Sequence, residues 1–177
     1  TSINLSLGSW LYMNMKNIFL LLVTLCLTAC KTEKKPADYV NPIIGATTFD
    51  EFKGSYHGLG KTFPGVCTPF GLVQLSPDTK TGGDNGSGYS WHHKTIEGFS
   101  FTHMSGVGWY GDLGNFLVMP TTGTLKTFKG TEEEPESGYR SRYSHEREQA
   151  SAHKYTVMLD DYQIQAELAA APRSGII

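Results

Sequence analysis

Sixteen of the twenty glycines in this 177-residue chain lie between Gly45 and Gly123, and this concentration restricts the fold more than any other feature. A glycine in the interior of a helix costs about 1 kcal/mol relative to alanine, so long helices are disfavoured throughout this region. Glycine instead favours tight turns, because without a side chain it adopts backbone conformations that other residues avoid. The sequence therefore excludes a helical bundle.

Between the turns, short apolar or alternating runs predict β-strands at residues 71–76, 115–120, 123–128 and 155–168. The last run is interrupted by two aspartates and predicts a hairpin. Residues 144–152 could form a short helical turn, although they carry no apolar stripe. Several short strands without a periodic helix predict an all-β fold, an antiparallel β-sandwich.

The end of the chain resembles the beginning of another strand, because residues 172–177 read as a turn followed by apolar residues. Natural proteins avoid leaving an apolar edge strand exposed. We therefore expect the sandwich to be incomplete at its C-terminus, and the chain to be part of a longer protein.

The first thirty residues have the features of an export signal. A basic start at Lys16 precedes an apolar run over residues 18–27, and small residues then lead to Cys30. A run of this length is too short to span a bilayer, which takes roughly 20 residues, and fits a secretory signal peptide. The alternative is a buried strand or helix.

The residues before Cys30 resemble a bacterial lipobox, which implies cleavage at that point and acylation of Cys30. The organisation predicted is a leader and signal peptide at 1–29, a charged tether at 30–38 and a β-sandwich domain at 39–177. We expect an exported bacterial lipoprotein that is attached to a membrane by its lipid anchor, in the outer membrane or the periplasm.

Charge and cysteine content exclude several other functions. The 15 basic and 17 acidic residues give a formal net charge of -2, which excludes a nucleic-acid-binding protein that works through a broad basic surface. Of the three cysteines, Cys26 lies in the signal and Cys30 is the lipidation site. Cys67 alone cannot form an internal disulfide or a zinc site. Its apolar context favours a small buried residue over a nucleophile.

Aromatic, imidazole and glycine residues concentrate between positions 88 and 112. Aromatic rings stack on the C–H face of a sugar, while polar side chains form hydrogen bonds with its hydroxyls. We therefore predict that Trp91, His103 and Trp109 bind sugar. The alternative is that aromatic residues here belong to the core and the glycines only form turns, and this is the interpretation favoured for Phe99 and Phe101.

The same region defines no catalytic or metal-binding residue. His92 and His93 are adjacent and would point to opposite sides of a strand, which argues against a zinc site formed with His103. Four acidic residues could supply the paired carboxylates of a glycosidase, but none stands in a distinctive context: Asp78, Asp84, Glu97 and Asp112.

A series of motifs in a familiar order carries a resemblance to one family. The motifs are YVNPIIG at 39–45, TFPG at 62–65, PFGLVQLSPDT at 69–79, GFS at 98–100, HMSG at 103–106 and MP at 119–120. Together they resemble the N-terminal domain of family 92 glycoside hydrolases, which are bacterial exo-acting α-mannosidases. The resemblance implies a sandwich of the galactose-mutarotase-like supersandwich type that packs on an (α/α)6 barrel. It also implies an inverting, calcium-dependent hydrolase.

In this family the general acid, the catalytic base and most calcium ligands lie in the barrel, which this chain does not contain. The resemblance therefore implies a non-catalytic part that forms one wall of a pocket for mannose-containing glycans and is inactive alone. Trp91 or Trp109 would pack on the sugar, with His103 behind. The alternative function is a non-catalytic glycan-binding lipoprotein that uses the two tryptophans as a platform.

Overall fold

The computed structural model of the chain describes Met15 and residues 17–20, 33–46, 60–81, 87–106 and 116–177. The chain divides into two compact units, Thr1–Lys35 and Pro36–Ile177. In the first unit, Met15 and residues 17–20 are helical and exposed. No helix among the described residues is long and apolar enough to cross a membrane. Cys30 lies outside the described residues, so its acylation stays a prediction.

In the second unit the described residues form short strands and a few 3₁₀ turns. The 3₁₀ helices are Pro36–Tyr39, Pro135–Ser137 and His145–Arg147. The strands are β1 (Val66–Cys67), β2 (Gln74–Asp78), β3 (Thr95–Ile96), β4 (Gly98–Ser100), β5 (Leu117–Val118), β6 (Ser141–Arg142), β7 (Glu148–Ala150), β8 (Tyr155–Leu159), β9 (Ile164–Ala171) and β10 (Ser174–Ile176).

The strands assemble into antiparallel sheets. One four-stranded sheet has the order β1-β2-β4-β5, a second has the order β10-β9-β8-β7, and β3 pairs with β6. Strands β1 and β2 of the first sheet contact β9 of the second. The backbone N–H of Leu72 also donates a 2.8 Å hydrogen bond to the carbonyl of Pro172. The predicted all-β antiparallel sandwich is confirmed.

The hairpin predicted at residues 155–168 is confirmed as β8 and β9. Tyr155, Val157 and Leu159 alternate inward along β8 and are buried. The two strands pair in antiparallel register from Tyr155 opposite Leu168 onward. The turn is longer than the sequence indicated, because residues 160–163 precede the second strand and Gln163 takes a positive φ of 54°. The alternation of apolar residues predicted which face of the hairpin is buried, whereas the length of the turn depended on the backbone conformation of Gln163.

The core lies between the sheets and consists of their inward-facing apolar side chains. Leu75 and Phe99 come from the first sheet, and Val157 and Leu168 come from the second. Burial of each such side chain contributes about 1.5–3 kcal/mol relative to leaving it in water. Phe99 thus belongs to the core, which confirms the interpretation favoured from the sequence.

Three strand predictions need correction. The strand predicted at 71–76 begins at Gln74 and ends at Asp78. It includes Pro77, which has no partner residue in β1 because β1 pairs only with Gln74 and Leu75. The strand at 115–120 is reduced to β5 within its described residues. The strand at 123–128 is absent, and those residues are mostly exposed, with Gly123 at a φ of +79°.

The prediction that Cys67 is buried is wrong. Cys67 is exposed and free, whereas its neighbour Val66 is only 1% exposed. The two residues alternate across β1, so only one of them faces the core. The surrounding apolar and turn-forming residues did not reveal which of the two that would be.

Candidate functional site

Trp91 is held in place by the backbone of two neighbouring segments. Its own N–H donates to the carbonyl of Ala46 at 3.1 Å, and the N–H of His93 closes a turn onto the carbonyl of Ser90 at 3.1 Å. The indole is half-buried and packs against the edge of the core. Trp91 therefore lies in a turn and not in a strand.

One face of the Trp91 indole is covered by the imidazole of His145. The ring centroids are 3.5 Å apart and the planes differ by 7°, so the two rings are stacked. Nε2 of His145 also lies 2.8 Å from the main-chain carbonyl oxygen of Trp91. A ring stack and a hydrogen bond therefore join the same two residues, which are 54 positions apart.

The other nitrogen of His145 contacts a buried carboxylate. Nδ1 lies 2.6 Å from Oε2 of Glu148, a side chain that is 2% exposed. Tyr155 donates its hydroxyl to Oε1 at 2.6 Å, and Tyr89 donates to both carboxylate oxygens at 2.9 and 3.1 Å. Tyr143 completes the group, since its hydroxyl lies 3.5 Å from that of Tyr89.

The three tyrosine hydroxyls keep their protons. Burial is the main cause that raises the pKa of each of Tyr89, Tyr143 and Tyr155, and the nearby Glu148 carboxylate raises it further. The neighbouring Tyr143 also raises the pKa of Tyr89. Tyr89 and Tyr155 therefore act as hydrogen-bond donors to Glu148, which compensates that carboxylate for its loss of water.

His103 lies in the interior, not on the surface of a cleft. It is 4% exposed. Nδ1 lies 2.8 Å from the carbonyl oxygen of Gln74, and Nε2 lies 2.9 Å from Oδ1 of Asp78 and 3.2 Å from Oγ of Ser100. Both ring nitrogens are thus engaged inside the protein, which favours a role in holding β2 and β4. The predicted sugar contact of His103 stays untested, and this geometry offers it no free nitrogen.

Gly88 explains how His103 and Asp78 approach the chain so closely. A Cβ at position 88 would lie 2.2 Å from Oδ1 of Asp78 and 2.9 Å from the His103 ring, and φ there is +67°. Only glycine satisfies both the space and the backbone conformation without strain. The glycine-rich sequence before Trp91 therefore serves packing at this position.

Glu97, one of the acidic residues considered from the sequence, belongs to a buried ion pair. Arg140 donates to it, and the hydroxyl and backbone N–H of Thr81 donate at 2.5 and 2.9 Å. Lys129 lies at 3.3 Å. These contacts occupy the carboxylate and assign it to the framework. Trp109, Asp84 and Asp112 lie outside the described residues.

Comparisons with known proteins agree with this architecture. The family model described as the glycosyl hydrolase family 92 N-terminal domain matches residues 39–177. The chain belongs to this family.

Solved structures of GH92 enzymes are similar to the described domain. The α-mannosidase BT3965 from Bacteroides thetaiotaomicron is 46% identical with a TM-score of 0.72, over 81% of this chain and 18% of that one. Its complex with mannoimidazole gives 44% and 0.69, over 80% and 17%. The inverting mannosidase BT2199 from Bacteroides thetaiotaomicron gives 30% and 0.61, over 81% and 18%.

The GH92 chain thus spans less than a fifth of the length of these relatives. Its matched residues correspond to the N-terminal domain of this glycoside hydrolase family. A search among curated proteins found no match.

The metal-ligating side chains of this GH92 domain are not clustered within the part of the chain that the structure describes. Among the described residues, no three His, Cys, Asp or Glu side chains lie close enough together to hold a metal ion. His93 is bonded within the domain, because its Nδ1 lies 2.9 Å from the Thr79 hydroxyl. Burial is the main cause that lowers the pKa of its imidazole. The buried carboxylates of Glu97 and Glu148 are bonded to Arg140 and His145.

Sequence reasoning missed His145 and Glu148. Their segment was interpreted only as a possible short helical turn, which the structure places at His145–Arg147. The two residues are three apart, so a turn brings both side chains to the same side of the chain. A His and a Glu at this spacing, before a run of β-branched and aromatic residues, was the only local signal.

Proposed function

We propose that the protein containing this domain hydrolyses α-linked mannose from glycans with inversion at the anomeric carbon, and that the domain forms one wall of the sugar pocket. The observation that carries the proposal is the 46% identity, over 81% of this chain, to an enzyme described as a GH92 α-mannosidase. A second relative is described as an inverting mannosidase, and the first was also solved with mannoimidazole.

Inversion requires two carboxyl groups on opposite sides of the anomeric carbon. One carboxylic acid donates a proton to the leaving oxygen as the C1–O bond breaks. The other, as a carboxylate, takes a proton from a water molecule whose oxygen bonds to C1 from the opposite face. In our proposal both groups lie outside the described residues, because Asp78, Glu97 and Glu148 are already engaged within the domain.

The contribution of this domain is to shape the pocket. Trp91 is the described residue that we assign to sugar contact, because its indole is only half-buried and is held in a fixed stack with His145. An indole surface held by the fold can pack on the C–H face of a sugar without being ordered on binding. We also propose that the whole protein requires calcium, with ligands outside the described residues, and we derive no step through it.

The full gene product is expected to release mannose from α-mannosides, and the first-formed sugar should be the β-anomer. Proton NMR during the first minutes of hydrolysis measures the anomer before it equilibrates. Chelation by EDTA should abolish release, and added calcium should restore it. The 177-residue chain alone, as the control, should release none. Failure of the full product on every α-mannoside tested would reject the proposal.

Export as a lipoprotein is a further part of the proposal, supported by the apolar run at 18–27 and the residues preceding Cys30. In a bacterial host, Cys30→Ser is expected to abolish incorporation of labelled palmitate, because the serine hydroxyl does not replace the thiol to which the lipid is joined. The matched control is Cys67→Ser, which changes an exposed, free thiol. Equal labelling of the two variants would contradict lipidation at Cys30.

A further inference from the structure

The imidazole that stacks on Trp91 forms a hydrogen bond at each of its two nitrogens. Nε2 of His145 faces a main-chain carbonyl oxygen at 2.8 Å, which can only accept, so this nitrogen donates. Nδ1 faces Oε2 of Glu148 at 2.6 Å. That carboxyl group also accepts from the hydroxyls of Tyr89 and Tyr155. One nitrogen of His145 is thus bonded to the main chain of Trp91 and the other to the side chain of Glu148.

These contacts explain how Glu148 is tolerated in the interior. A carboxyl group that is 2% exposed requires hydrogen-bond partners, and His145 and the tyrosines supply them. The same imidazole lies flat against the indole of Trp91, with the ring centroids 3.5 Å apart. Tyr143 meets the His145 ring edge-on at 5.2 Å. The imidazole is thereby fixed by its two hydrogen bonds and two ring contacts.

We propose that His145, itself held by Glu148, is a positioning residue for Trp91 that fixes the indole as a rigid platform for sugar. The inference rests on the proposed function, because Trp91 is the sugar-contacting residue in that proposal. His145 contacts both the indole face and the main-chain carbonyl of Trp91, so it restricts the side chain and the backbone of the same residue. A preorganised ring loses less conformational entropy when a ligand binds.

The first experiment measures the fluorescence of Trp91 in the full chain, taken as the difference between each protein and the same protein with Trp91→Phe. An imidazole stacked on an indole quenches its emission and shields that face of the ring from solutes. We expect His145→Gln to raise the Trp91 emission at least twofold and to increase its quenching by acrylamide. His153→Gln, at an exposed histidine, is the matched control and should change neither.

Glu148→Gln tests whether Glu148 holds His145 in place. The amide of glutamine can still bond to the tyrosines and to Nδ1, but with weaker hydrogen bonds than the carboxyl group forms, so the imidazole is held less firmly. Quenching of Trp91 by acrylamide is expected to increase, by less than His145→Gln produces. If His145→Gln does not fold, this variant decides the matter. Unchanged acrylamide quenching of Trp91 in the folded variants overturns the proposal.

A second experiment, in the full gene product, connects the stack to sugar. His145→Gln is expected to raise KM for an α-linked mannobiose about fivefold, which corresponds to about 1 kcal/mol of binding free energy, with kcat changed less. His153→Gln should leave both parameters unchanged. If Trp91→Phe raises KM but His145→Gln does not, the positioning role is wrong. If Trp91→Phe itself has no effect, the assignment of Trp91 in the proposed function fails, whatever the fluorescence shows.

Discussion

Replacing Arg140 with methionine is expected to lower the free energy of unfolding of the domain by about 3–5 kcal/mol, because it removes the buried cation that pairs with Glu97 and leaves only the exposed Lys129 nearby. The side chains of Glu97 and Arg140 are 1% and 6% exposed. Arg140 also donates to the Thr95 hydroxyl at 3.1 Å and to the carbonyl of Lys129 at 3.2 Å. Natural domains are stable by about 5–15 kcal/mol, so this single change removes a large part of the total.

The matched control is Lys129→Met, which removes the second cation near the same carboxylate. Lys129 lies 3.3 Å from Glu97, but its side chain is 44% exposed. Exposed ion pairs contribute about 0–1 kcal/mol, so this variant should remain near the wild type. Urea unfolding with linear extrapolation measures both changes. Similar losses for the two variants would show that burial does not decide the strength of these pairs.

This ion pair illustrates what the sequence could not predict. Glu97 and Arg140 are 43 positions apart, and neither lies in a pattern that indicates the other. Glu97 was considered from the sequence only as one of four acidic residues, without a role. The fold brings the two together because β3, which ends at Ile96, pairs with β6, which begins at Ser141. Side-chain partners of this kind follow from strand pairing, which has no local signal.

The hairpin and the family were predictable for different reasons. The alternation of side chains at residues 155–168 indicates which of them face the core, because a period of two residues is that of a half-buried β-strand. The family followed from long ordered motifs, not from any single residue. The predicted strand at 123–128 did not form, and no strand among the described residues pairs with this segment. Alternation alone indicates an extended chain but does not supply its partner.

The sequence named Trp91 and His103 as candidate site residues but did not indicate where each side chain would lie. Trp91 lies at a half-buried turn, whereas His103, chosen for the same chemistry, lies in the interior between Gln74 and Asp78. Residue type was the only basis for both predictions, and it cannot distinguish an imidazole that binds a ligand from one that joins two strands. His145 was not considered, because its connection to Trp91 depends on a contact across 54 positions.

The second large effect is expected from Gly65→Ala, in the TFPG motif at 62–65 that contributed to the family resemblance. A Cβ at position 65 would lie 2.0 Å from the carbonyl oxygen of Leu75 and 2.5 Å from Cα of Ser76. Both are backbone atoms of β2, so no side-chain rotation relieves the overlap. The variant should lose about 3 kcal/mol or more, since either β1 or β2 must move and the core around Leu75 must follow.

Gly123→Ala is the control that separates space from backbone conformation. Gly123 has a φ of +79° but nothing within 4 Å of an added Cβ, whereas Gly65 is not among the glycines with positive φ. Alanine at position 123 should therefore cost only the left-handed conformation, about 1–2 kcal/mol. Urea unfolding of the two variants measures the difference. If Gly65→Ala costs no more than Gly123→Ala, close contact between β1 and β2 is not the reason that glycine occupies the motif.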